Sequence, residues 1–165
     1  MNVFWYYFWP PVGAGLVIGA LVGAFAFRPR GRRSVAVAIG VIATIALAVL
    51  WHGPLGAADR YAAAVERSVR QTIVYWEIPQ VSGHLHRGPL TRTVLLSGPA
   101  DDFQRSELVR IIGDVPGVER ATWSAGGGVP LIVEGAAAAL LGFLLGLLVA
   151  YLRELRRRYN TQWNW

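Results

Sequence analysis

Three long stretches of this chain carry almost no charge, and they constrain its fold more than any other feature. They run from Val3 to Phe27, from Ser34 to Trp51 and from Pro130 to Leu152. A helix needs about 20 consecutive apolar residues to cross the hydrocarbon core of a bilayer. We therefore predict three transmembrane helices, the first becoming regular near Pro10 and Pro11, since proline suits the first turn of a helix.

The arginines predict which helix ends face the cytoplasm. All 16 basic residues are arginine. The segment between the second and third helices, residues 52–129, balances eight arginines with eight acidic residues. The positive-inside rule then places the N-terminus and residues 52–129 in the periplasm of a bacterial inner membrane, and the C-terminus in the cytoplasm. The arginines expected to set this topology and to contact lipid headgroups are Arg28, Arg30, Arg32, Arg33, Arg153, Arg156, Arg157 and Arg158.

Composition excludes several classes of protein. A mean hydropathy of +0.39 at a net charge of +6 argues against a soluble nucleic-acid binder. The absence of cysteine removes disulfides and thiolate metal sites. A secretory signal peptide carries basic residues before its apolar core, whereas here they follow the first span, which favours a retained helix. Glu134 lies about one turn into the third span, so we interpret it as a wetted or capped end residue.

Aromatic residues cluster at the predicted membrane surfaces. Amphipathic rings concentrate at the headgroup level of a bilayer, which predicts interfacial anchors near the ends of the spans. The C-terminal aromatic tail has two open interpretations: a solvated end resting on lipid, or a docking peptide for a partner subunit. The predicted anchors are Trp5, Trp9, Trp51, Trp163 and Trp165.

Small residues recur at intervals of four in the first and third spans. Such stripes let another helix backbone approach closely, and this packing is a main source of helix association in lipid. Two interpretations stay open: the stripes pair with each other inside one chain, or one of them faces a different subunit. The predicted helix-packing residues are Gly15, Gly19, Gly23, Ala138, Gly142 and Gly146.

The 52–129 segment has the periodicities of a small α/β unit. Apolar residues recur at helical spacing between Ala57 and Trp76 and again after Asp102. The stretches 81–88 and 91–98 have the composition of two hairpin strands joined through Gly88 and Pro89, and 118–124 that of a final strand. The predicted element order is α-β-β-α-β.

This order and two glycine motifs resemble the BON (bacterial osmotically-inducible and nodulation) domain over residues 57–124. The motifs are Leu96-Ser97-Gly98 and Pro116-Gly117-Val118, separated by one amphipathic helix. The family's usual Asp-Gly hairpin is replaced here by residues 87–92. The resemblance implies a non-catalytic module of the bacterial envelope that contacts phospholipid or partner proteins.

Three histidines are the candidates for cofactor or metal chemistry. His84 and His86 alternate on the first strand and could share a metal ion, although spacing marks no third ligand. His52, at the end of the second span, could ligate haem or a pigment. Polar surface explains the first two and an interfacial position the third, so we expect no metal, no cofactor and no catalytic residue.

Together these patterns predict an integral membrane α-helical protein with three transmembrane helices and a small α/β, BON-like extramembrane domain. Its domains would be residues 1–51, 52–129 and 130–165. The predicted role is a non-catalytic accessory or scaffolding subunit of an inner-membrane complex, with lipids and other integral membrane subunits as partners, and with a homo-oligomer left open. The alternatives are a free-standing phospholipid-binding envelope protein and a pigment- or haem-carrying subunit.

Overall fold

The computed structural model describes residues 3–27, 32–124 and 127–162 of the 165-residue chain. Four of the residues predicted above to meet the membrane surface lie outside these ranges: Arg28, Arg30, Trp163 and Trp165. The described part is mostly helical, with five helices and a three-stranded sheet. The helices are α1 (Val3–Ala26), α2 (Arg33–His52), α3 (Ala57–Tyr75), α4 (Asp102–Gly113) and α5 (Leu131–Gln162), and the strands are β1 (Ser82–Arg87), β2 (Leu90–Ser97) and β3 (Arg120–Thr122).

Helices α1, α2 and α5 are long and apolar enough to cross a membrane. Contacts divide the chain into one unit of residues 1–7 and 56–134, and another of residues 8–55 and 135–165. The first turns of α1 and α5 thus belong to the α/β unit, whereas the remainder of these two helices, together with α2, forms the helical unit. Only 17–28% of the residues in the apolar stretch of each helix are buried, so most of these residues are at least partly exposed.

The predicted start of α1 was wrong. The helix begins at Val3, with Pro10 and Pro11 inside it. Proline lacks the N–H of the intrahelical hydrogen bond, so its presence normally favours a helix start at that point. Here the two turns before the prolines have contacts of their own in the α/β unit. The Phe4 ring lies 5.3 Å below the Arg92 guanidinium, and the Tyr7 ring lies 5.4 Å from that of Tyr61.

The predicted end of α5 was also too early. The helix extends ten residues beyond Leu152 to Gln162, and its 32 residues measure about 48 Å. Ion pairs at helical spacing support the extension, since Glu154 lies 2.9 Å from Arg158 and 3.7 Å from Arg157. Its last turns are therefore basic and extend the helix beyond the apolar stretch.

The α/β unit has the predicted element order α3-β1-β2-α4-β3. The sheet order is β1-β2-β3, with β1 antiparallel and β3 parallel to β2. Helix α3 packs on β1 and α4 on β3. A capping box between Asp101 and Gln104 starts α4. The core combines the apolar faces of these elements: Val65, Val69, Ile73, Leu85, Val94, Leu96, Leu108, Ile112 and Ala121.

Two details of this unit differ from the prediction. Trp76 was expected to continue the apolar face of α3, but the helix ends at Tyr75, and Trp76 is 49% exposed at its C-cap. The last strand covers only Arg120–Thr122 instead of 118–124, because only three residues of β2 pair with it.

Candidate functional site

The predicted small-residue stripes face each other within the helical unit. A Cβ added at Gly19 would lie 3.0 Å from the Phe143 Cα, and one at Gly142 would lie 3.0 Å from the Val12 Cα. Gly15 and Gly146 are equally close to the backbones of α5 and α1, respectively, and Gly23 meets the Ala150 side chain. Helices α1 and α5 therefore approach through their glycines, as the intrachain interpretation of the stripes expected.

One predicted packing position is displaced by a residue. Ala138 was assigned to the stripe, but Ala139 is the fully buried residue, and its backbone faces Gly15. Helix α2 joins this interface through Gly40, where an added Cβ would come within 2.7 Å of the Phe143 ring. Sequence reasoning missed this contact, although Gly40, Thr44 and Ala48, the buried residues of α2, also recur at intervals of four.

The α/β unit contains a charged cluster that sequence reasoning did not find. Arg92 Nε lies 3.4 Å from a Glu134 carboxylate oxygen, and an Arg92 terminal nitrogen lies 3.8 Å from one of Glu119. Both Arg92 and Glu134 are largely buried, at 18% and 21% side-chain exposure. With the Phe4 ring beneath the guanidinium, the cluster joins the first turns of α1 and α5 to β2 and to the residue before β3.

Glu134 was expected to be a wetted or capped end residue; it lies in the first turn of α5, but its side chain is only 21% exposed. It is a largely buried ion-pair partner, because the first turn of α5 lies beside the arginine of β2. The signal available in the sequence was a lone acid in an apolar stretch, which needs a cation to offset its desolvation. Periodicity alone could not identify which of eight arginines in residues 52–129 supplies that cation.

Two tyrosines, Tyr7 and Tyr61, lie near this cluster. The Tyr7 hydroxyl lies 3.5 Å from the Leu131 carbonyl, at the start of α5. The Tyr61 hydroxyl donates a 2.6 Å hydrogen bond to the Gly117 carbonyl. Burial raises the pKa of Tyr61 well above its ordinary value, and the nearby carboxylates of Glu134 and Glu119 act in the same direction while Arg92 opposes them. The hydroxyl therefore stays protonated and serves as a donor.

The candidate histidines lie in two elements, His84 and His86 on β1 and His52 at the end of α2. In β1 the pairing register is irregular between Leu85 and Arg87, and His86 Nδ1 lies 3.0 Å from the Pro89 carbonyl oxygen. His84 is exposed, and His52 is half-buried at the end of α2. Within residues 3–27, 32–124 and 127–162, no group of three or more His, Cys, Asp or Glu side chains could hold a metal ion.

The C-terminal end of α3 exposes a patch of large apolar side chains. Val74 is 61%, Tyr75 80% and Trp76 49% exposed; we call these three residues the aromatic patch. A groove of about 300 Å³ lies beside it, between α3 and β1, and we call it the edge groove. Its lining includes Arg70, Ile73, Val74, Val81 and His84.

The predicted topology arginines that the structure describes lie at helix ends. Arg32 precedes α2 and Arg33 begins it, while Arg153, Arg156, Arg157 and Arg158 occupy the extension of α5. Of the predicted anchors, Trp5 and Trp9 are about half exposed near the start of α1, and Trp51 is partly buried near the end of α2.

Between the last turns of α1 and the α5 extension lies a second groove, of about 260 Å³. We call it the basic groove, since its lining includes Arg153 and Arg157. Comparisons with protein families, with curated proteins and with solved structures found no match. The aromatic patch, the edge groove and the basic groove are three candidate binding surfaces among the residues that the structure describes.

Proposed function

We propose that the protein is a non-catalytic accessory or scaffolding subunit of a bacterial inner-membrane complex. Its three apolar helices would cross the membrane, and its α/β unit would lie in the periplasm. Large apolar side chains exposed along α1, α2 and α5 support the membrane part of the proposal, because lipid is the solvent that such surfaces fit. Examples are Leu21, Ile42 and Leu144, each at least 58% exposed.

The arginine distribution supports the proposed orientation. Arg32 and Arg33 lie at the start of α2, and Arg153 and Arg156–Arg158 follow the apolar stretch of α5. Both groups would be cytoplasmic if α1 and α5 began on the periplasmic side. The α/β unit follows α2 and precedes α5, so the same orientation would place it in the periplasm.

The aromatic patch is the observation that carries the role of a subunit. Tyrosine and tryptophan are enriched in the buried centres of protein interfaces, where lysine and glutamate are depleted. Three consecutive large side chains exposed on a unit that otherwise balances its charges support a contact with another protein. We propose that a periplasmic region of a partner subunit covers the aromatic patch.

The proposed absence of catalysis fits the charged cluster of the α/β unit. Arg92 pairs with Glu119 and Glu134 and lies over the Phe4 ring. Such an arrangement has the features of a structural cluster that holds the starts of α1 and α5 in place. The resemblance to BON domains is part of the same proposal. It is supported by the element order and by the positive φ angles of Gly98 and Gly117, the glycines of the two motifs.

The subunit role is tested by extraction in mild detergent followed by native gel electrophoresis. The full chain should migrate with other membrane proteins. Replacing the patch by serine, in Tyr75→Ser with Trp76→Ser, should release the chain from them. Phe103→Ser is the matched control, because Phe103 is 75% exposed on α4, a different helix from the one whose end carries the aromatic patch. A lone chain of 18.0 kDa in its micelle, or equal release by Phe103→Ser, would contradict the proposal.

The edge groove favours a second candidate, a free-standing envelope protein whose α/β unit binds phospholipid. The groove combines apolar walls from Ile73 and Val81 with the positive charge of Arg70. Proteoliposomes carrying the full chain with this unit outward would then capture added phosphatidylglycerol vesicles. Arg70→Gln should reduce capture, whereas Arg110→Gln, an exposed arginine of α4, should not. Capture that is equal for both variants would contradict this candidate.

A further inference from the structure

We propose that the basic groove binds one anionic phospholipid, with its headgroup phosphate on Arg153 and Arg157 and an acyl chain along α1 and α5. This inference rests on the proposed membrane insertion of the helical unit. It assigns a ligand to two particular arginines, which the general topological role of the basic residues does not do.

The arrangement of polar and apolar lining follows that of a phospholipid. Arg153 and Arg157 are one helical turn apart and both line the groove. One turn earlier in α5, Val149 and Ala150 line it, and small residues of α1, among them Gly23 and Ala24, form the opposite wall. A charged end and an apolar wall thus succeed each other along α5, as a headgroup and an acyl chain do in a lipid.

The end of α1 is held against α5 beside these arginines. Helix α1 ends at Ala26, while α5 continues to Gln162. Arg158 donates a hydrogen bond to the Phe27 carbonyl at 3.3 Å, and the Phe27 ring packs on Tyr151 at 5.5 Å. These contacts hold the end of α1 against α5 at two positions that flank Arg153 and Arg157 along the helix.

The charge balance favours an anion in the groove. Glu154 also lines it, but Arg158 pairs with this carboxylate at 2.9 Å. Arg157 is 3.7 Å from Glu154 and keeps 78% of its side chain exposed. Within the described ranges, Arg153 has no ion pair. Arginine guanidinium groups bind phosphate oxygens through paired hydrogen bonds, and basic pockets between membrane helices bind acidic headgroups.

Native mass spectrometry of the full chain tests the proposal by counting bound lipids. Phosphatidylglycerol and phosphatidylcholine with identical acyl chains are titrated into the detergent-solubilised protein. We expect one tightly bound phosphatidylglycerol per chain. The double variant Arg153→Gln with Arg157→Gln should weaken its preference over phosphatidylcholine by about 25-fold, from about fivefold per arginine.

The matched control removes the same charge outside the groove, in Arg67→Gln with Arg120→Gln, two exposed arginines of the α/β unit. It should keep the tight lipid. Ala24→Phe tests the apolar wall without changing charge, because Ala24 is exposed on that wall, and it should weaken binding of the lipid while leaving the arginines in place. Equal loss in the charge-matched control, or equal binding of both lipids, would overturn the proposal.

A soluble anion is the competing source of phosphate. Glycerol 3-phosphate in millimolar excess should leave the bound lipid in place, and its displacement of the lipid would overturn the assignment. Alkaline washing of membranes separates the underlying premise from this inference. A chain that is removed by the wash was never inserted, whereas a chain that resists it and still binds no phosphatidylglycerol refutes the basic groove alone.

Discussion

Replacing Gly19 by alanine should separate α1 from α5. The added Cβ would lie 2.8 Å from the Phe143 carbonyl carbon and 3.0 Å from its Cα, and closer still to the carbonyl oxygen. Carbon atoms pack best at about 3.5–4.0 Å. Backbone atoms cannot rotate away as a side-chain end can, so the two helices must move apart.

The size of the effect follows from comparison with Gly13. At Gly13, on the same helix, an added Cβ meets no atom within 4 Å. Both substitutions gain the same helix propensity, about 1 kcal/mol for alanine over glycine. The difference between the two variants therefore isolates the cost of overpacking, about 1–3 kcal/mol. Separation of the helices would also weaken the close contacts of Gly15, Gly142 and Gly146.

The assay unfolds the full chain in mixed micelles with increasing mole fractions of sodium dodecyl sulfate. Unfolding is monitored by the circular dichroism of the helices and by tryptophan fluorescence. Gly19→Ala should unfold at a lower detergent fraction than wild type, and Gly13→Ala at an equal or higher one. If the two variants differ by less than about 0.5 kcal/mol, the close approach of α1 and α5 is not what stabilises the helical unit.

Two further predictions concern the α/β unit. Glu134→Gln should destabilise this unit by about 1–3 kcal/mol in thermal unfolding. The loss should be smaller than for a fully buried pair, because the Arg92 and Glu134 side chains stay 18% and 21% exposed. The control Glu107→Gln breaks an exposed pair and should cost about 0–1 kcal/mol, and equal losses in the two variants would contradict the role of the cluster. Tyr61→Phe should cost about 1 kcal/mol at pH 8 by removing the hydrogen bond to Gly117. Because burial raises the pKa of Tyr61, the greater stability of wild type is complete below the ordinary tyrosine pKa of about 10 and is lost as pH rises above it. The measurement is the difference between the urea midpoints of wild type and Tyr61→Phe. A difference that stays constant from pH 8 to pH 11 would refute the burial of the hydroxyl.

Periodicity and composition predicted the elements of this fold well. The three charge-free stretches correspond to α1, α2 and α5, and the helical and alternating patterns of residues 57–124 to α3, β1, β2, α4 and β3. These signals are local, since they depend on which face of a helix or strand is apolar. Glycine spacing extended the prediction to one tertiary contact, because glycine stripes have few uses in a helix other than close packing.

The features that sequence reasoning missed depend on contacts between distant residues. The start of α1 at Val3 needs Arg92 and Tyr61, which lie more than 50 residues away. The extension of α5 is stabilised by Glu154 with its following arginines, which the prediction treated as a charge signal for topology. Trp76 fits the apolar spacing of α3 but falls just after its last residue, where the pattern no longer decides burial.

The candidate surfaces were predictable only in part. The arginines of the α5 extension were identified, but nothing in their spacing indicated that Arg153 and Arg157 share a groove with α1 while Arg156 does not. The aromatic patch was hidden because its residues continue a core-forming helix. A core tryptophan differs from an exposed one in its burial, and burial depends on tertiary contacts that spacing along the chain does not specify.

The orientation of the chain in the membrane is the central claim, and cysteine labelling tests it most directly. The chain has no cysteine, so Ser106→Cys on α4 and Leu155→Cys on the α5 extension each introduce a single thiol at an exposed position. A membrane-impermeant maleimide that enters the periplasm should label the α4 thiol in intact cells, and the α5 thiol only after the inner membrane is permeabilised. Labelling of the α5 thiol in intact cells, or of neither thiol until permeabilisation, would contradict the account.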